Sequence, residues 1–125
     1  MTDNIDVDRI IVDDDVDALL RAAQYLGDRL ASRKLSKSQF RNLFDSIKRI
    51  EMAGTDRFSR RKLVLLKPKM EHAYSRSGKK DAMGELKEIL SKAIDAVGDD
   101  PKKFERFVEF FEAIMCYHGA GERTE

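Results

Sequence analysis

The stretch DPKKFERFVEFFEAIMCYHG, residues 100–119, decides the fold. Phe104, Phe107, Val108, Phe111, Ile114 and Met115 recur at i, i+3, i+4 and i+7. That is the period of one face of an α-helix, and it does not fit the two-residue period of a strand. Pro101 stands at the first helical position, where a missing N–H removes no helical bond, and Asp100 starts the turn before it. Gly119 and Gly121 are expected to stop the helix. A stripe this aromatic is stable only when buried, so other helices must carry faces that cover it.

Four further segments carry such faces. The first has Val16, Leu19, Leu20, Ala23, Leu26 and Leu30, with Asp13 as the expected N-cap and Asp14 and Asp15 in its first turn. The second opens with Ser36 and Gln39 at capping-box spacing, repeats Phe40, Leu43, Phe44, Ile47 and Ile50, and ends at Gly54. The third covers Phe58 to Arg76, with a kink or restart expected at Pro68, which lacks an N–H and crowds the carbonyl of Val64. The fourth carries Met83, Leu86, Leu90, Ala93, Ile94 and Val97 and ends at Gly98. Only Ile5 and Val7 alternate with aspartate as a strand would, and one short strand has no sheet to join. The expected fold is therefore all-α, a compact bundle of about five helices over residues 13–119. A flexible acidic tail is expected over residues 1–12 and a C-terminal tail over 120–125.

A chain of 125 residues with 42% hydrophobic and 38% charged residues has the size and composition of one globular domain. Its longest apolar runs, Leu63 to Leu66 and Ala113 to Tyr117, fall far short of the roughly 20 residues that span a bilayer, so no membrane partner is expected. The acidic opening residues lack the basic and apolar regions of a secretory signal, and Cys116 alone cannot form an intramolecular disulfide. A cytoplasmic location is the expectation. The net charge of +1 conceals segregation: −6 over residues 1–17, +12 over residues 29–80 and −5 over residues 81–125. Because salt screens charge within about 10 Å, the central block can hold a polyanion whatever the total. The acidic tail either covers that block weakly or only keeps the chain in solution, and the sequence leaves both open.

No catalytic constellation stands out. Cys116 and His118 are two residues apart and face away from each other on a helix, and Cys116 reads as a core or near-core thiol. One Cys and two His are too few for a structural zinc site, and the aspartates from Asp13 to Asp17 lack the glycine and closing glutamate of a calcium loop. No glycine-rich phosphate loop is present, so no catalytic residue, metal or cofactor is expected.

The basic residues are ordered. At about 100° per residue, Lys34, Lys37, Arg41 and Lys48 fall within a stripe about 60° wide that borders the apolar face of the second helix. Lys62, Lys69 and Arg76 lie seven apart along the third segment, and Lys79 and Lys80 extend them. Such spacing matches phosphates along a nucleic-acid strand, and the phenylalanines are committed to core stripes, so the pattern fits backbone tracking without base reading. Pairing of the same cations with the acidic fourth and fifth helices fits it as well. A helical adaptor that binds an acidic protein partner is the alternative function.

Three segments, LSKSQFRNLFDSI (Leu35 to Ile47), LLKPKMEHAYSR (Leu65 to Arg76) and FVEFFEAIMCYH (Phe107 to His118), resemble the small helical subunit of type III-A CRISPR effector complexes, the Csm type. The resemblance spans about two-thirds of the chain, from Leu35 to His118. This sequence has His72 where the pattern usually has tyrosine and Cys116 where it has alanine. The resemblance implies a non-catalytic helical bundle acting in antiviral defence. Its partners would be guide RNA and target RNA, other copies of itself, and the large and backbone subunits of the complex. It makes Lys37, Arg41, Lys67, Lys69 and Arg76 phosphate-contacting candidates; Lys48 joins them by helical phase, and Lys34 and Lys79 flank them. Glu112 and Tyr117 read as structural, with Glu112 holding an arginine in place.

Overall fold

The computed structural model describes residues 5–35, 37–52 and 60–122, with side chains through residue 119. Among these residues seven helices follow one another and no strand forms: α1 (Val7–Ile11), α2 (Val16–Ser32), α3 (Lys37–Met52), α4 (Arg60–Val64), α5 (Leu66–Arg76), α6 (Lys80–Val97) and α7 (Pro101–Glu122). The all-α bundle expected from the periodicity is what forms. The described buried apolar side chains make one continuous core.

The most extensive helix contact is between α2 and α7, and small residues set it. The buried face of α2 is Leu19, Ala22, Ala23, Leu26, Gly27 and Leu30. Val16 and Leu20, which the spacing assigns to the core, are instead 60% and 46% exposed. The helix turns its small side to α7 because only there can the backbones close. A Cβ on Gly27 would lie 2.6 Å from Tyr117 Cβ and 2.9 Å from the Ile114 carbonyl oxygen. Across the bundle, Arg29 Nε donates to both carboxylate oxygens of Glu85, at 3.1 and 3.2 Å, and ties α2 to α6.

Residues 7–11 form helix α1, where the sequence reading has a flexible tail. Ile5, Val7, Ile10 and Ile11 are buried, each worth roughly 1.5–3 kcal/mol on transfer from water. One turn of helix has no stability alone, so docking against α6, α7 and α2 is what forms it. Arg106 of α7 completes the join by donating Nη1 to the carbonyls of Ile11 at 3.0 Å and Val12 at 3.3 Å, the open end of α1. A tail folded in this way has residues 5–11 committed to the core rather than available to cover the basic block.

The turn after α1 also moves the cap of α2. Asp13 is expected there, but the turn passes through Asp14 at φ +58° and the cap is Asp15. Asp15 Oδ1 accepts the N–H of Ala18 at 3.1 Å, and Oδ2 accepts Arg9 Nη2 at 2.9 Å. The Ala18 N–H, and then Arg9, hold the Asp15 carboxyl below the usual carboxylate range. A folded-state pKa below the unfolded one gives stability that is present above the ordinary carboxylate range and lost as pH falls through the folded value. Asp15→Ala is thus expected to lower Tm at neutral pH. Asp15→Asn, which still caps, should show a smaller fall in Tm on acidification than the wild type; an unchanged acid profile would remove Asp15 from the account.

The second half of the bundle places the basic segments. Phe40 of α3 meets Phe111 of α7 edge to face, ring centroids 5.1 Å apart, and Phe44 lies 5.7 Å from the same ring. Pro68 restarts the chain rather than kinking it. The helix stops at Val64, and α5 begins at Leu66, which puts Pro68 in a first turn whose N–H groups have no helical acceptor. The segment expected to begin at Phe58 and the stop expected at Gly54 lie outside the described residues, as does Ser36. Gly98, at φ +60°, caps α6 as expected. Gly119 does not stop α7, which runs on to Glu122. An interior glycine costs about 1 kcal/mol, too little to end a helix held by its contacts with α2 and α3.

Candidate nucleic-acid interface

The cations picked out by the sequence collect around α3, which has a groove on either side. Toward α7, Lys37 and Arg41 stand over Phe40, Met115, Cys116, His118 and Gly119 in a groove of about 370 Å³. Toward α5, Gln39, Asn42, Leu43 and Ser46 face Lys69, His72, Ala73 and Arg76 across a groove of about 310 Å³. Both sets in the second groove run at spacings of three and four, so each is one face of its helix. Lys37, Arg41, Lys69 and Arg76 are exposed. Arg41, Lys69 and Arg76 form no ion pair with any described residue.

The remaining candidates are placed differently. Lys67 turns away from α3 and donates Nζ to Asp95 of α6 at 2.6 Å. It sits two residues before Lys69, nearly opposite on the helix. Lys48 is bound to Glu51, lies 5.8 Å from the centre of the Phe44 ring and is half-buried. The Glu51 hydrogen bond, with Glu112 contributing, holds its ammonium above the ordinary lysine range. Glu112 forms no ion pair with an arginine among the described residues. Lys34 lies before α3 rather than on it, in the turn closing α2. Its N–H reaches the Ala31 carbonyl at 3.0 Å, and that of Leu35 reaches Leu30 at 3.0 Å, with Lys34 at φ +62° in the position where glycine is usual. Lys79 lines a shallow hollow with Arg33 and Lys80. Lys80 itself donates to the carbonyls of Tyr74 and Ser75, both at 3.0 Å, at the end of α5.

The basic stripe thus divides. Lys48 and Lys67 are paired with Glu51 and Asp95, while Arg41, Lys69 and Arg76 meet no carboxylate among the described residues. Asn42, Ser46 and His72 were not selected from the sequence, because their significance is their meeting across two helices that are distant in sequence. The i, i+3, i+4 series on both helices was the available signal.

Cys116 is exposed, not a core thiol. The ring of His118 is 1% exposed and turned inward, 5.0 Å from the Phe40 ring, with Nε2 at 3.0 Å from the Leu35 carbonyl oxygen. Burial of the histidine and exposure of the cysteine put them on opposite sides of α7, so they form no nucleophile–base pair. Among the described residues, no group of three His, Cys, Asp or Glu is placed to hold a metal ion. No described helix is long and apolar enough to cross a membrane.

The sequence model of one protein family, Csm2 Type III-A, matches residues 13–123. No curated protein and no solved structure gives a match.

Proposed function

Because the chain belongs to the Csm2 Type III-A family and is thereby a small subunit of a type III-A CRISPR complex, we propose that its α3-centred face binds the backbone of the guide or target RNA. Lys37, Arg41, Lys69 and Arg76 are the principal phosphate contacts, with Lys34 and Lys79 at the margins. Other subunits of the effector complex, further copies of this chain among them, are the protein partners. The role is one of holding RNA and helping the filament assemble, and not of catalysis. The observation that carries this reading is the convergence of exposed cations on both sides of α3, Lys37 and Arg41 toward α7 and Lys69 and Arg76 toward α5, whereas Lys48 and Lys67 are held by Glu51 and Asp95.

Lys37→Glu with Arg41→Glu is expected to weaken RNA retention in the assembled complex with helicity unchanged, since both are exposed. For the isolated chain, neutralising about three to five phosphates gives a slope of log affinity against log salt of roughly −2 to −4 on single strands. A flat salt titration would remove the proposal.

Lys34 offers a second test. Its left-handed backbone costs an L-residue about 1 kcal/mol that glycine does not incur. Lys34→Gly is expected to stabilise the fold by up to about 1 kcal/mol while weakening RNA binding. A variant that is more stable and binds RNA equally well would exclude Lys34 from the interface.

A further inference from the structure

The two grooves beside α3 differ in chemistry. Lys37 and Arg41 stand over Phe40 and Met115 beside the Cys116 thiol, with the His118 ring already turned to the Leu35 carbonyl, so this groove offers charge and no carboxamide or hydroxyl. In the groove toward α5, Lys69 and Arg76 are joined by the carboxamide of Asn42, the hydroxyl of Ser46 and the imidazole of His72, over a small floor that includes Ala73. The Asn42 carboxamide has no partner among the described residues. Ser46 Oγ donates to the Asn42 carbonyl at 3.3 Å and keeps its lone pairs for an incoming donor. Neighbouring Gln39 is already engaged, its Oε1 accepting the Ser77 hydroxyl at 3.4 Å.

A phosphate has only acceptors to offer and gains nothing from an amide oxygen or an apolar floor. A nucleobase matches every part of this groove. Its edge alternates donors and acceptors, as a carboxamide does, and its faces stack on imidazole and guanidinium planes. The phosphates flanking such a base run where Lys69 and Arg76 stand at the rim. We infer that the α3/α5 groove is a binding site for one unstacked nucleobase of the bound RNA strand, with Asn42 and Ser46 on its edge and His72 and Arg76 against its ring. This rests on the RNA-binding reading above and adds a neutral contact to it. The neutral part persists at salt concentrations where the phosphate contacts fade.

The test compares binding of the full chain to an adenosine oligomer and to a ribose-phosphate oligomer of equal length that lacks bases. The adenosine oligomer is expected to bind about fivefold or more tightly, as stacking of a single base provides, and the ratio should hold as salt lowers both affinities in parallel. Asn42→Ala should reduce that ratio, and Ala73→Leu, which fills the floor, should bring it close to one with affinity for the base-free strand kept. Lys37→Glu with Arg41→Glu should lower both affinities and preserve the ratio. Asn42 is exposed, so its variant folds and decides the matter even where Ala73→Leu does not. Equal affinity of the wild type for the two oligomers overturns the base site and leaves the phosphate reading in place, and a ratio indifferent to Asn42→Ala also overturns the base site. Binding to neither oligomer overturns both readings.

Discussion

Phe111→Ala is expected to destabilise the chain by about 3–5 kcal/mol, the range for deleting a fully buried aromatic ring. Phe111 is completely buried, and its ring meets both Phe40 and Phe44. Besides leaving a cavity, the substitution removes two aromatic contacts worth roughly 0.5–1.5 kcal/mol each. The measurement is urea denaturation: the midpoint should fall with the slope unchanged, because the same surface is exposed on unfolding. The effect should extend to function. Phe40 lies on the same helix as Lys37, Arg41 and Asn42, so loosening its seat on α7 displaces the whole α3 face. Phe111→Leu, which fills most of the volume, should recover most of the loss. A cost below about 1 kcal/mol for the alanine variant would mean that α3 does not rest on α7 as described.

Gly27→Ala is the second large effect, and its sign runs against helix propensity. In an exposed helix the change would stabilise by about 1 kcal/mol. At position 27 the new Cβ meets Tyr117 Cβ at 2.6 Å, the Ile114 carbonyl oxygen at 2.9 Å and the His118 N at 3.0 Å. Two of these are backbone atoms of α7, which yield only if the helices separate along their main contact. Overpacking costs typically 1–3 kcal/mol and occasionally more, so a net loss of about 2 kcal/mol is expected, or roughly 5–15 °C in Tm. Gly119→Ala supplies the control. Nothing lies within 4 Å of a Cβ there, and α7 continues through it, so a gain of up to about 1 kcal/mol is expected. Thermal melts of the two variants should move in opposite directions; movement in the same direction would deny the close approach of α2 and α7.

The sequence alone determined that the chain is helical and where most helices lie. A period of 3.6 is a local property, and the stripes at Phe104 to Met115 and Met83 to Val97 needed no knowledge of what covers them. Pro101 and Gly98 were legible for the same reason: their backbone preferences act within a turn or two. The family resemblance was legible in three motifs, and the match over residues 13–123 bears it out. The cationic residues were legible as a set, since charge is read directly.

Which cations remain available was decided only by tertiary structure. Lys67 and Lys69 look equivalent in the motif, yet one meets Asp95 across the bundle and the other opens into the groove beside α3. That difference depends on which neighbour packs against each side of α5. Helix α1 was hidden because one turn has no intrinsic stability, and its Val7, Ile10 and Ile11 spacing gains meaning only when α6 and α7 offer a surface to bury it. The face that α2 buries went to Ala22, Ala23 and Gly27 rather than to Val16 and Leu20 because close approach of two backbones outweighs the burial of two larger side chains. Burial per residue is written in the sequence, whereas the distance at which two helices can meet belongs to the pair.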